Sequence, residues 1–340
     1  MYSFRPSLRL GLAPVLALSA LTAMLLSSCG GSDDTLTIYS GRSESLVAPI
    51  IQAFSETTGV HVEVKYGSTA AMAATLLEEG DNSPADVFYA QDPGGLGAIA
   101  GLLSPLPFET LARVPEWARS PESLWVGVSG RARVLVYNTK VLAEADLPQD
   151  LEALTNPKWR GRVGWAPTNG SFLTMITAMR STWGEERALA WVQGMVANGV
   201  NVYPNNSSQV AAVGSGEINI GLVNHYYLYR FLAEEGEGFP ARNYHLPDGG
   251  PGSLVMVSGA GVLDSSGRKE DAQRFVDFLL SAAAQSYFTA QTYEYPLVES
   301  IPTHRLLVPL GQINGPDIRL ADLADIDGSQ QLMREAGALP

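Results

Sequence analysis

The residues with the most chemistry to offer stand together at Asn224-His225-Tyr226-Tyr227-Leu228-Tyr229-Arg230. Phenolate oxygen is a hard anionic donor suited to a hard trivalent cation, whereas thiolate and imidazole suit softer metals. A free tyrosine is neutral at pH 7, so the pair Tyr226-Tyr227 needs the charge of a metal to ionise. A helix start would help to hold the anions. The run from Ile218 to Val223 is continuously apolar, as in a strand buried on both faces. Asn224 suits the cap of a following helix. The pair therefore falls outside the carboxyl end of a strand, where α/β folds present ligand-binding residues. On spacing alone, packing is the commoner role of Tyr226, Tyr227 and Tyr229.

Arg131, Arg133, Leu135 and Tyr137 share one face of a strand by the two-residue period, which aligns two guanidinium groups with a third phenol. Guanidinium holds a carboxylate-like or carbonate anion in bidentate fashion, although arginines on an exposed edge strand give the same pattern. Thr168-Asn169-Gly170-Ser171 and Asn205-Asn206-Ser207 are small polar turns that open helices, either as caps or as backbone donors to an anion. Gly-x-Ser-x-Gly, His-Glu-x-x-His and P-loop patterns are absent, and His61, His225, His245 and His304 are scattered. No nucleophile for a hydrolase is nominated, and the chain reads as a non-enzyme.

The elements around these residues alternate strand and helix. Leu36 to Tyr39, His61 to Val64 and Ala85 to Tyr89 read as strands, separated by a helix over Leu46 to Phe54 that carries Pro49 and by an Ala-rich helix that Gly80 stops. Gln91 to Gly95 reads as a loop. Strands follow at Val134 to Tyr137 and Gly161 to Trp165, and helices at Ser171 to Arg180, Glu185 to Val196, Arg268 to Ser281 and Ser329 to Ala336. The apolar, glycine-rich stretch from Leu254 to Leu263 reads as a crossing between two halves. Roughly 300 residues suit two lobes better than one core. The expectation is an α/β protein with one lobe formed by residues 36–132 with 259–305 and the other by 133–258 with 306–340, and a ligand cleft between them.

The N-terminus reads as an address. Arg5 and Arg9 precede an apolar run to Leu26 and then Leu26-Ser27-Ser28-Cys29, the layout of a secretion signal. Leu-Ser-Ser-Cys resembles a bacterial lipobox, which makes residues 1–28 the signal, Cys29 the lipid attachment point and 29–35 a tether. An uncleaved membrane anchor is the alternative, with an apolar run near the lower limit for a span and interrupted by Pro14. The net charge of −13 argues against nucleic acid and against binding to anionic lipid surfaces.

The segments Tyr39-Ser40-Gly41-Arg42, Pro84-Ala85-Asp86-Val87-Phe88-Tyr89, Ser129-Gly130-Arg131-Ala132-Arg133, Pro157-Lys158-Trp159-Arg160-Gly161, Asn224-His225-Tyr226-Tyr227 and Tyr293-Glu294-Tyr295-Pro296 resemble the ferric-ion-binding proteins of bacterial ABC importers. These have the type II periplasmic-binding-protein fold, two lobes with a crossing-strand hinge. The resemblance implies that Tyr226 and Tyr227 ligate Fe³⁺, that a synergistic anion completes the coordination, and that an ABC permease and its ATPase receive the iron from a monomeric carrier. It places Asn169, Gly170, Ser171, Asn206 and Asn224 near the anion pocket of one branch. That branch has histidine where this chain has Ser43 and glutamate where it has Gln91, so both of those ligands are missing. A second branch, with a third tyrosine and carbonate (or bicarbonate), fits better: Tyr137 would be the third ligand and Arg42 and Arg133 would hold the anion. The same cleft would also serve another small solute, such as a phosphonate, a polyamine or another organic ion.

Overall fold

The computed structural model describes residues 35–340. The signal segment and Cys29 lie outside the described residues, and Thr35, expected in the tether, already begins the first strand. Ten strands follow in chain order: β1 Thr35–Ser40, β2 His61–Tyr66, β3 Val87–Ala90, β4 Val126–Asn138, β5 Val163–Trp165, β6 Asn201–Val202, β7 Ile220–Asn224, β8 Ala241–Tyr244, β9 Val255–Val262 and β10 Tyr295–Pro296. Their order is β2-β1-β3-β9-β4-β7-β5-β6, with β8 and β10 also paired to β4.

β4 organises the molecule. All thirteen of its residues are buried, and its partners change midway. Residues from Val126 to Ala132 pair with β9, whereas Arg133 to Tyr137 pair with β7. One strand thus belongs to both halves of the two-lobe α/β fold. The sequence places Arg131 to Tyr137 on one strand; β4 extends it backwards through Gly130 to Val126 and forwards to Asn138. β9 returns alongside β4 and β3 in the first half, so the glycine-rich crossing is a paired strand.

Each half closes over its own apolar surface. In the first, the helix Glu44–Thr58 buries Leu46, Val47, Ile50, Ile51 and Phe54 at helical spacing, and Pro49 stays on its exposed face. The helix Lys269–Leu279 buries Ala272, Phe275, Val276 and Leu279. His61 is exposed on the edge strand β2, as its alternation with Val60 and Val62 implied. In the second half, Trp159, Trp165, Phe172, Trp191 and Leu332 join one cluster.

The expected loop at Gln91 to Gly95 is instead the entry to a short helix, Pro93–Ala98. Asp92 caps it, its Oδ1 accepting from Gly95 N at 3.1 Å, and Pro93 takes the first turn, where its missing N–H costs nothing. The glycines serve close approach rather than a turn: a Cβ on Gly94 would lie 2.8 Å from Ile326 Cγ1.

Candidate functional site

The end of β7, the middle of β4 and the first turn of the helix Gly170–Trp183 meet where the two halves face each other. Tyr226 and Tyr227 open the helix Tyr226–Glu235. Their rings stack with centroids 4.4 Å apart, Tyr226 is wholly buried and Tyr227 nearly so. The Tyr226 hydroxyl is buried without a hydrogen-bond partner. A buried hydroxyl left so costs free energy unless something else completes it. Burial raises the Tyr227 phenol above its ordinary value, and its neighbour Tyr226 raises it further.

Asn224 does not cap that helix. It ends β7, and His225 occupies the cap position without a side-chain cap bond. The Asn224 amide is instead spent on the site: Oδ1 accepts from Arg133 Nη1 at 3.0 Å and Nδ2 donates to Ser171 Oγ at 3.1 Å. Ser171 Oγ also accepts from Gln91 Nε2 at 3.3 Å, which joins the two halves. Asn206 is buried and faces the Tyr227 hydroxyl, while its side-chain N and O find no hydrogen bond.

Three guanidinium groups share this buried space. Arg42, Arg131 and Arg133 are 1%, 0% and 1% exposed. Only Arg42 has a carboxylate partner, donating to both Glu294 oxygens at 2.8 and 2.7 Å. Nε and Nη1 of Arg42, all three nitrogens of Arg131, and Nε and Nη2 of Arg133 have no partner. Burial pulls Arg131 down from its ordinary value, with Arg42 adding repulsion, and burial likewise pulls Arg133 down to about 9. Burial would raise the Glu294 carboxyl, but Arg42 and Arg131 more than offset this and hold it low. Asp92, also buried, is the other carboxylate facing Arg131, and burial raises its carboxyl. Tyr89 adds a further buried hydroxyl without a partner, pushed up to about 12 by burial. Positive charge thus exceeds negative in a buried space rich in unused donors, which is the electrostatic signature of an anion site.

Tyr137 is not brought here. The shared face of β4 is real, but four residues at strand rise put Tyr137 about 13 Å beyond Arg133. There the helix Gly170–Trp183 covers the face, and Tyr137 joins the apolar cluster with Leu135, Leu147 and Leu151. The charged groups acting on its phenol are Glu144 and Arg242, not the site arginines. Tyr137→Phe is therefore expected to leave any metal-dependent visible spectrum unchanged, which absorbance during ferric titration checks.

The remaining sequence candidates divide. Arg42, Arg133, Ser171, Asn206 and Asn224 gather at the tyrosine pair. Asn169 is the cap of Gly170–Trp183, accepting from Phe172 N at 3.3 Å, and with Gly170 it lines a cavity of about 360 Å³ that also touches Gln91 and Asp92. Gly170 has a steric role: a Cβ there would lie 3.0 Å from Asp92 Oδ2 across the cleft. Gly170→Val should hold the halves apart. At about 1–3 kcal/mol for overpacking, bound ligand should leave roughly ten to a hundred times faster, and small-angle scattering should show no compaction on ligand addition. Ser43 is exposed and makes no cap bond. Arg131, which the two-residue period set beside Arg133, also belongs here, whereas Asp92, Glu294, Tyr89 and His225 are site residues that spacing did not nominate. For Glu294 the available signal was the segment Tyr293-Glu294-Tyr295.

Among the described residues no cluster of three or more His, Cys, Asp or Glu side chains is placed to hold a metal. Residues 82–307 match the family of bacterial extracellular solute-binding proteins. The major ferric iron-binding protein of Neisseria meningitidis serogroup B is 35% identical over 326 residues, covering 94% of this chain and 97% of that protein. Iron-bound HitA from Pseudomonas aeruginosa superposes with a TM-score of 0.85 at 38% identity, over 89% of this chain and 99% of its own. A Trichodesmium protein in complex with iron and citrate gives 0.77 at 30% identity, with coverages of 89% and 99%.

Proposed function

The chain belongs to the family of bacterial extracellular solute-binding proteins, transport proteins rather than enzymes, and on that footing we propose that it captures ferric iron together with a dianion, by our reading carbonate. Tyr226 and Tyr227 supply phenolates, and Arg42, Arg131 and Arg133 hold the anion. The observation that carries this reading is the buried tyrosine pair beside guanidinium nitrogens that have no partner.

Charge supports the choice of a dianion. The three guanidinium groups exceed Glu294 and Asp92 by one positive charge. Two phenolates, a ferric ion and carbonate together carry one negative charge, so the loaded site closes at neutrality. A buried site with a net charge would be costly. Each phenol must give up its proton as the metal arrives, since burial alone keeps Tyr227 protonated. Capture therefore releases protons and acidification reverses it. The positive end of the helix Tyr226–Glu235 favours the phenolates further. With Ser43 and Gln91 in place of imidazole and carboxylate, and Tyr137 remote, the anion and solvent supply the remaining coordination.

The test is ferric iron added to the apo-protein with and without bicarbonate. A visible phenolate-to-iron charge-transfer band that needs the anion supports the proposal. A colourless protein stabilised by an organic anion and not by iron would sink it.

The same reading extends to cellular context. Cys29 would be acylated after removal of residues 1–28, tethering the protein at the cell envelope for delivery of iron to an ABC permease and its ATPase. Mass spectrometry of the mature N-terminus checks the first part: a free Cys29 thiol, or an uncut signal, would contradict it.

A further inference from the structure

His225 precedes the tyrosine pair and is buried, yet no step above uses its ring. Its hydrogen bonds reach three separate segments of the chain. Ala132 N donates to His225 Nδ1 at 3.1 Å, and His225 N donates to Ala132 O at 3.0 Å. Ala132 is the residue between Arg131 and Arg133, on the strand shared by both halves. A backbone N–H can only donate, so Nδ1 carries no proton and the ring hydrogen sits on Nε2. Nε2 then donates to Tyr293 O at 2.8 Å. The backbone carbonyl of His225 in turn accepts from Asn243 Nδ2 at 2.7 Å.

Tyr293 is one of two described non-glycine residues with positive φ, at 56°. A non-glycine residue in that conformation is strained and persists only where its surroundings determine it. The consequence is local: the next residue, Glu294, turns inward to meet both Arg42 and Ser129 Oγ, the latter at 3.1 Å. The His225 ring also lies edge-on to Tyr226 at 5.7 Å and close to Tyr295 at 4.7 Å.

We propose that His225 is a positioning residue which holds the tyrosine pair, the Arg131–Arg133 strand and the Glu294–Arg42 pair in one register, so that phenolates and anion cradle are presented together. The effect on ligand capture rests on the ferric reading above; the brace itself does not. Asparagine places an amide oxygen near the Nδ1 position and can keep the Ala132 bond only. Glutamine places an amide nitrogen near the Nε2 position and can keep the Tyr293 bond only. Leucine keeps neither.

In the full mature chain, the bicarbonate concentration giving half-maximal colour with ferric iron should rise about tenfold in His225→Asn and in His225→Gln, and about a hundredfold in His225→Leu, the range expected for residues that orient ligands. A merely structural role would lower the melting temperature of all three and leave that concentration unmoved, which overturns the proposal. Nitrogen-15 NMR of the wild-type ring gives a readout without iron. The Nε2–H tautomer supports the brace, and Nδ1–H refutes it even where no variant folds. Absence of colour in the wild type would instead count against the ferric reading, with the tautomer still deciding the brace.

Discussion

Tyr226→Phe and Tyr227→Phe are each expected to cost ferric affinity more than about a hundredfold, beyond the range of residues that only orient ligands, and the double variant to show no visible band. Phenylalanine keeps the stacked, buried rings and removes only the oxygen, so the packing of the pair at 4.4 Å should survive. Stability should respond in the opposite sense. Tyr226→Phe deletes a buried hydroxyl that has no partner, and the apo-protein should be unchanged or slightly more stable. Competition with a ferric chelator, paired with thermal melts of the apo-protein, separates the two effects. Retained colour in the double variant would end the assignment of the pair.

Glu294→Gln should be the most damaging substitution to the empty protein. It removes the one carboxylate hydrogen-bonded to the arginine cluster while preserving size. Breaking a buried pair from one side costs about 3–5 kcal/mol, because the remaining charge is left uncompensated. For a domain of this size the melting temperature should fall on the order of 10 °C. The second signature is specific to the site: with one more surplus positive charge, added phosphate or bicarbonate should raise the melting temperature further in the variant than in the wild type. Equal responses to anions in the two proteins would show that Glu294 does not balance the cluster.

The fold was largely legible because hydrophobic period is a local property. Helix Lys269–Leu279 buries Ala272, Phe275, Val276 and Leu279, spaced by three and four residues within the expected helix, and the apolar run before Asn224 is β7. The site was legible only in part, because charge balance is not local. Arg42 and Glu294 meet across 252 positions, and neither neighbourhood carries a pattern that implies the other. Tyr137 shows the limit from another side. Period two gives the face of β4 correctly but not how far along it the site extends, and a helix converts the same face into core within two residues of Arg133. Asn224 carries the signal of a helix cap, yet its amide is taken by Arg133 and Ser171. A tertiary partner outcompeted the local one. The glycines after Asp92 suggested a loop, and their actual use in close helix packing depends on Ile326, far along the chain.

The change of partners along β4 between Ala132 and Arg133 puts this stretch where a fulcrum between the two halves would lie. Points near a fulcrum travel least when the arms swing. Arg131 and Arg133 straddle it, so opening the cleft would carry Asp92 and Gln91 away from Gly170 and Ser171 while the guanidinium cradle stays almost still. Open and closed forms would then differ chiefly in which wall faces the guanidinium groups.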